Sequence, residues 1–86
     1  MVYKILFSEH AAKTLLKLPS DIKEKIRLAL LRIQVRPFDY LEKLVNHPYY
    51  KLRLWDYRII IDVINEDLVI LFVEVGHRRN IYKRFG

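Results

Sequence analysis

The segment spanning residues 50–63 constrains the fold more than any other part of the chain, because apolar and polar side chains alternate along it in two arms. A period of two places alternate side chains on opposite faces, which is typical of β-strands with one buried face. Trp55 and Asp56 interrupt the alternation and predict a two-residue turn. The segment is therefore predicted to be an antiparallel hairpin.

The register of this hairpin places like charges side by side. Leu52 faces Ile59 on the apolar face, while Arg53 lies directly opposite Arg58 on the other face, with Lys51 two residues along the first arm. Like charges in direct cross-strand pairs destabilise a sheet. The cations gathered on one face therefore predict an anionic partner, and the hypothesis about function starts from them.

Composition supports a small folded domain with a basic surface. The chain has 86 residues, 52% of them hydrophobic, and a net charge of +6, which predicts a single domain over residues 1–86. The charge indicates a polyanion or an acidic protein as partner, although solubility alone would also account for it. The absence of cysteine excludes a disulfide framework and predicts a reducing, cytoplasmic location. No apolar run is long enough to span a membrane, and the first residues form a strand rather than a signal peptide.

Two amphipathic helices are predicted between the first strand and the hairpin. Ser8 and Ser20 are the expected N-caps, Pro19 separates the helices, and Pro37 ends the second. The apolar stripe of the second helix comprises Ile22, Ile26, Ala29, Leu30 and Ile33. Its basic residues lie mostly off this stripe and are expected to be solvated.

The complete pattern predicts an α+β fold of order β-α-α-β-β-β, with the N-terminal helical hairpin on one face of a mainly antiparallel four-stranded sheet. Residues 37–49 are expected to be an irregular connection, and residues 68–75 the last strand. A basic tail follows from Gly76 onward. Ile60 and Ile64, apolar residues on the cationic face, are either covered by this tail or form a docking patch for a partner.

The order of three motifs resembles the RelE/ParE superfamily of toxins from type II toxin–antitoxin modules. The motifs are Tyr50-Lys-Leu-Arg, Tyr57-Arg-Ile-Ile, and Val75-Gly-His-Arg followed by Ile81-Tyr82. The resemblance extends over essentially the whole chain. Many relatives differ in having lysine at the Arg53 position and glycine at the Trp55 position.

The resemblance implies a ribosome-dependent endoribonuclease that cleaves mRNA in the A site without metal or other cofactor. The 2′-OH attacks the neighbouring phosphate, leaving a 2′,3′-cyclic phosphate and a 5′-OH. The catalytic set implied by the motifs is Lys51, Arg53, Arg58, Arg78 and Tyr82. In this set Arg53 and Arg58 stabilise the phosphorane, Arg78 assists the leaving group, and Tyr82 stacks on the nucleotide or orients it. Which group is the general base stays open.

Further basic residues are predicted to bind RNA. They are His77, Arg79, Lys83 and Arg84. As a histidine, His77 is also a candidate acid or base. Glu42 is expected to form a salt bridge, with a role as base as the alternative. Trp55 at the turn either contacts the ribosome or an antitoxin, or caps exposed core.

The implied partners are a cognate RelB-like antitoxin in a hetero-oligomer, the ribosomal A site and mRNA, with no membrane. One alternative is a ParE-like toxin that inhibits DNA gyrase without nuclease activity. Another is a binding protein that has lost activity.

Overall fold

The computed structural model describes residues 2–85, and for residues 82–85 it describes the backbone alone. The strands are β1 (Lys4–Phe7), β2 (Glu42–Lys43), β3 (Tyr50–Leu54), β4 (Tyr57–Ile64) and β5 (Val69–His77). The α-helices are α1 (Glu9–Leu16), α2 (Ser20–Ile33) and α3 (Arg78–Phe85). The α+β class is confirmed. None of the helices in this described part is long and apolar enough to cross a membrane.

The five strands form one sheet in the order β1-β5-β4-β3-β2. β1 pairs with β5 in parallel, and the other pairs are antiparallel, as expected of a mainly antiparallel sheet. The predicted hairpin register is confirmed, with Arg53 opposite Arg58 and Leu52 opposite Ile59. Period-two patterning therefore located the central strands correctly.

The predicted four-stranded sheet was wrong by one strand, because β2 lies in the segment expected to be irregular. This strand has only two residues, Glu42 and Lys43, both exposed. Two polar residues show no alternation, so local sequence carries no strand signal there. Pairing with Tyr50 and Lys51 of β3 defines the strand instead.

The two helices of the N-terminal hairpin begin differently. Ser8 caps α1 as predicted, because its hydroxyl accepts a hydrogen bond from the Ala11 amide at 3.0 Å. The prediction that Ser20 caps α2 was wrong, since Pro19 occupies the cap position and Ser20 is already helical. The Pro19 carbonyl accepts bonds from the amides of Ile22 and Lys23, so the proline conformation starts this helix without a side-chain cap.

The main core lies between the sheet and the N-terminal helices. Ile26 and Ile33 of the predicted α2 stripe are buried there, against sheet residues such as Ile59, Ile61 and Phe72. The opposite face of the sheet, which we call the outer face, has a smaller cluster. It contains Leu44, Ile60 and Ile81, with Tyr49 and Val73 packed against them.

The C-terminal stretch, expected to be a tail, forms helix α3 and covers part of the outer face. Ile81 of α3 packs on Ile60, which is fully buried, so the interpretation of Ile60 as a docking patch was wrong. Gly76 permits this close approach, because a Cβ there would lie 3.3 Å from the Ile81 side chain. The result is a rim of basic residues between α3 and the hairpin turn.

Candidate functional site

Arg58 is the centre of the site and is held by the hairpin turn. Its side chain is on the outer face, since it shares that face with Ile60 and alternates with the core residue Ile59. Arg58 is only 8% exposed. Its guanidinium donates hydrogen bonds to the main-chain carbonyls of Trp55 and Tyr57. Because two backbone oxygens orient it, the guanidinium has a defined direction without any ligand present.

Glu42 explains how the sheet tolerates like charges on this face. Its carboxylate lies 3.4 Å from Arg53 Nε and 3.8 Å from Lys51 Nζ. The pairing of β2 with β3 brings Glu42 beside these cations, directly opposite Lys51. The salt bridge expected for Glu42 is thus confirmed. Glu42 of the chain itself therefore supplies part of the negative charge that was predicted to lie near these cations.

Arg78 is attached to the hairpin turn by two contacts with the same residue. Its backbone amide donates to the Asp56 carbonyl at 2.7 Å, and its side-chain Nε lies 3.6 Å from the Asp56 carboxylate. Residue spacing alone did not show whether this part of the chain would return to the hairpin. The pairing of β4 with β5 brings it back, because Gly76 lies opposite Arg58.

His77 is not gathered with Arg58, and Arg79 follows it at the start of α3. His77 lies opposite Tyr57, on the other face of the sheet from Arg58, and packs edge-on against that ring at 5.8 Å between centroids. Its Nδ1 accepts a hydrogen bond from the Arg79 backbone amide at 3.2 Å. Arg79 is exposed. The RNA-binding role of both residues stays a prediction.

The side chains of Tyr82, Lys83 and Arg84 lie outside the described residues, although their backbone belongs to α3. The predicted role of Tyr82 at the nucleotide and the predicted RNA-binding roles of Lys83 and Arg84 therefore stay predictions. A helical signal was present in the sequence, since Ile81, Tyr82 and Phe85 recur at i, i+1 and i+4.

Sequence reasoning missed an acidic group that the fold nearly buries beside α1. Glu74 on β5 is nearly buried and forms a contact of 3.1 Å with His10 of α1. It lines a cavity of about 370 Å³ that Gly76, His77 and Asn80 also line. The sequence offered one signal for it, since Glu74 is the single charged residue in an otherwise apolar strand. Its contact with His10 forms only in the folded chain.

The gathered groups are suited to binding and stabilising negative charge. Arg58 and Arg78 flank the hairpin turn, and Arg53 and Lys51 extend the basic surface along β3. Guanidinium groups match phosphate oxygens in geometry as well as charge. Within the described residues, no group of three or more His, Asp or Glu side chains is arranged to hold a metal ion.

Comparisons with known proteins agree on one family. A family model described as the ParE toxin of type II toxin–antitoxin systems matches residues 5–82. The chain is 33% identical over 81 residues to the mRNA interferase toxin RelE of Escherichia coli K12, covering 91% of this chain and 85% of that protein. It is 34% identical over 88 residues to Toxin RelE3 of Methanocaldococcus jannaschii, covering 95% and 98% respectively.

Solved structures give the same result. The toxin in the crystal structure of the intact E. coli RelBE toxin–antitoxin complex superimposes with a TM-score of 0.78 and 31% identity. The match covers 87% of this chain and 95% of that chain.

Proposed function

The chain belongs to the RelE/ParE superfamily of type II toxin–antitoxin toxins, and on that premise we propose that it is a ribosome-dependent endoribonuclease that cleaves mRNA in the A site. The E. coli relative is an mRNA interferase toxin. The observation that carries the proposal is the fixed position of Arg58, a nearly buried guanidinium on main-chain carbonyls, opposite Arg53 and next to the turn that holds Arg78.

The proposed reaction is metal-independent transesterification. A base removes the proton of the 2′-OH, the 2′-oxygen bonds to phosphorus, and the bond from phosphorus to the 5′-oxygen breaks. The 5′-oxygen leaves as a hydroxyl after gaining a proton, and the other product end is a 2′,3′-cyclic phosphate. Negative charge develops on the non-bridging oxygens and on the leaving oxygen, so fixed cations lower the barrier at those points.

The site residues divide the work of this proposed reaction. Arg58 and Arg53 stabilise the charge of the phosphorane, and Arg78 stabilises the leaving 5′-oxygen. The Arg78 side chain is 53% exposed, and its contact to the Asp56 carboxylate is made through Nε. Lys51 lies next to Arg53 and adds charge to the same surface, while Tyr82 is proposed to orient the nucleotide.

The proposed partner is a RelB-like antitoxin, and the proposed location is the cytoplasm, where ribosomes are found. The E. coli relative has been crystallised with its antitoxin. The net charge of +6 favours an acidic partner. Part of that affinity should therefore weaken with salt.

The deciding experiment is cleavage of mRNA on programmed ribosomes, followed by mapping of both product ends. We expect cuts at the A-site codon with cyclic-phosphate and 5′-OH ends. Metal independence is checked with a phosphorothioate at the scissile phosphate, whose slower cleavage should not be rescued by Cd²⁺. Rescue by Cd²⁺ would show that a metal ion contacts that phosphate.

The second candidate is a ParE-like inhibitor of DNA gyrase, favoured by the family model that matches residues 5–82. A supercoiling assay with purified gyrase tests it in parallel. If the protein leaves ribosome-bound mRNA intact and arrests gyrase, the nuclease proposal is rejected.

A further inference from the structure

The packing of the fold does not explain why a tryptophan stands at the exposed position 55. It is the one tryptophan in the chain and is 74% exposed, at the tip of the hairpin. A tryptophan that capped the core would lose most of its surface to neighbouring side chains, since burial of its apolar area is what stabilises the protein. Trp55 therefore covers little of the core.

The backbone at Trp55 also favours a different residue. Its φ angle is +59°, in the left-handed region that glycine adopts readily and bulky residues rarely adopt. Such strain costs on the order of 1 kcal/mol or more and collects at functional sites. The backbone conformation at position 55 therefore favours glycine, yet this position carries a large aromatic side chain.

The surroundings of Trp55 select the kind of partner. The Lys25 ammonium of α2 lies 3.6 Å from the ring centroid and covers one face of the indole. The Trp55 carbonyl accepts a bond from Arg58, and the next residue, Asp56, holds Arg78. The turn thus combines an exposed aromatic ring with cations that it contacts or holds. This combination suits a nucleic acid, whose phosphates meet the charges and whose bases offer a flat surface for stacking.

We propose that Trp55 is a nucleobase-stacking residue: the face of the indole not covered by Lys25 stacks on an unpaired RNA base next to the phosphate held by Arg58 and Arg78. The identity of that phosphate rests on the proposed function, whereas the stacking itself does not. Because the Trp55 carbonyl orients Arg58, a base on this ring also sets the position of the backbone relative to the guanidinium.

The single tryptophan makes the contact directly observable. Excitation that is selective for tryptophan reports Trp55 alone, and stacking on a base should quench its fluorescence. The probe is a short 2′-O-methyl oligonucleotide, which cannot be cleaved, at low salt, where a basic protein binds RNA through phosphate contacts. An oligonucleotide with the same phosphates and abasic sugars should bind without quenching. Equal quenching by both, or binding of the first with no quenching, would overturn the proposal.

Variants separate a stacking ring from a structural one. Trp55→Leu should reduce RNA affinity and kcat/KM on ribosomes by about tenfold, the loss of one base–aromatic stack, while Trp55→Phe should retain most of both. Leu16→Ala is the matched control, because Leu16 is similarly exposed, at 77%, on α1. Thermal unfolding of Trp55→Leu should stay close to wild type. A large drop in its Tm with unchanged RNA affinity would assign Trp55 a structural role instead.

Two further experiments show which RNA supplies the base and whether the partner of Trp55 is RNA or protein. If the base belongs to mRNA, an mRNA with an abasic nucleotide beside the cleavage site should be cleaved more slowly by wild type, by the same factor by which Trp55→Leu slows cleavage of intact mRNA. If it is cleaved normally while Trp55→Leu is slow, the base belongs to ribosomal RNA. If Trp55→Leu binds RNA and cleaves like wild type but loses affinity for an acidic antitoxin peptide, the partner is protein and the proposal is wrong.

Failure of this inference differs from failure of the proposed function. Normal cleavage by Trp55→Leu on ribosomes would leave the nuclease proposal intact and reject stacking. Base-dependent quenching by a protein that cleaves no mRNA would reject the nuclease proposal and support stacking.

Discussion

The outer face of the sheet and the solvent-exposed side of α2 both present arginine, but they hold it in different ways. On α2, Arg27 donates to the carboxylate of Glu24 one turn earlier, from Nε at 3.0 and 3.2 Å and also from Nη2, and both side chains are more than half exposed. On the sheet, Arg58 is nearly buried and donates to the carbonyls of Trp55 and Tyr57.

The difference shows what separates a solvated charge from one prepared for chemistry. The Arg27 pair is made within one helix, can rearrange in water, and offsets its own charge. Arg58 is oriented by the backbone of a tight turn, so little reorganisation is needed when a phosphate arrives. Both surfaces carry several cations, so the number of cations alone does not distinguish a solvated charge from one prepared for chemistry.

Arg58→Ala is expected to break this comparison most clearly, by slowing single-turnover cleavage on programmed ribosomes roughly 100-fold, the loss typical of one preorganised donor. Arg27→Ala removes the same charge from α2 and should cleave at the wild-type rate. Arg58→Ala should also lower the free energy of unfolding by about 2 kcal/mol, through its lost charged hydrogen bonds. Rates are therefore compared at a temperature where circular dichroism shows both variants folded.

Equal losses in the two variants would mean that total charge matters and held geometry does not. Arg58→Lys adds a second check, because an ammonium lacks the planar fork of N–H donors of a guanidinium. Full rescue by lysine would argue against directed contacts.

Asp56→Ala sharpens the comparison at Arg78 and should have an intermediate effect. The substitution removes the carboxylate 3.6 Å from Arg78 Nε but keeps the backbone carbonyl that accepts from the Arg78 amide. We expect cleavage to fall about fivefold, since a partly exposed ion pair contributes up to about 1 kcal/mol. The reference is Arg78→Ala, expected to lose roughly 100-fold as a missing transition-state donor. If Asp56→Ala is as slow as Arg78→Ala, the carboxylate takes part in the reaction itself.

Glu42→Gln tests whether the acid on the outer face is a structural partner or a base. As a salt-bridge partner of Arg53 and Lys51, its loss should tighten RNA binding on the order of threefold at low salt, because one repulsive charge is removed. Cleavage should change little. A loss of roughly 100-fold or more would identify Glu42 as the general base. Filter binding and single-turnover rates measure the two quantities separately.

Glu24→Gln should have the smallest effect, confined to the pH dependence of stability. The hydrogen bond from Arg27 lowers the pKa of Glu24 below its ordinary value. The unfolded chain therefore binds this proton more readily, so the pair contributes stability above the unfolded pKa and loses it as pH falls through the folded pKa. Urea unfolding across this acidic range should show a slightly flatter profile for the variant. Cleavage should match wild type, and any change in rate would link α2 to the site.

Several features of the site followed from local pattern. The strict alternation in residues 50–63 determines which residues share a face, so the pairing of Arg53 with Arg58 follows from the sequence alone. Helical spacing likewise identified Ile26 and Ile33 as core residues of α2. Both inferences depend only on neighbours in sequence, where backbone geometry imposes the period.

Contacts between distant segments could not be obtained in this way. The two-residue strand β2 brings Glu42 to Lys51, and helix α3 buries Ile60, because pairing and packing with remote parts of the chain stabilise them. The expectation of a four-stranded sheet with a loose basic tail failed at these two places. β2 has too few residues to show a period, and the helical spacing of Ile81, Tyr82 and Phe85 does not show where α3 packs.

The sequence by itself determined that this protein has a hairpin with cations on one face and helices on the other, since side-chain alternation and helical stripes are local properties. Only the tertiary structure decided that Arg58 is oriented by carbonyls of its own turn and that Asp56 holds Arg78. The reason is physical: the charge of an arginine is a property of the residue, whereas its direction depends on the acceptors that the folded backbone places around it.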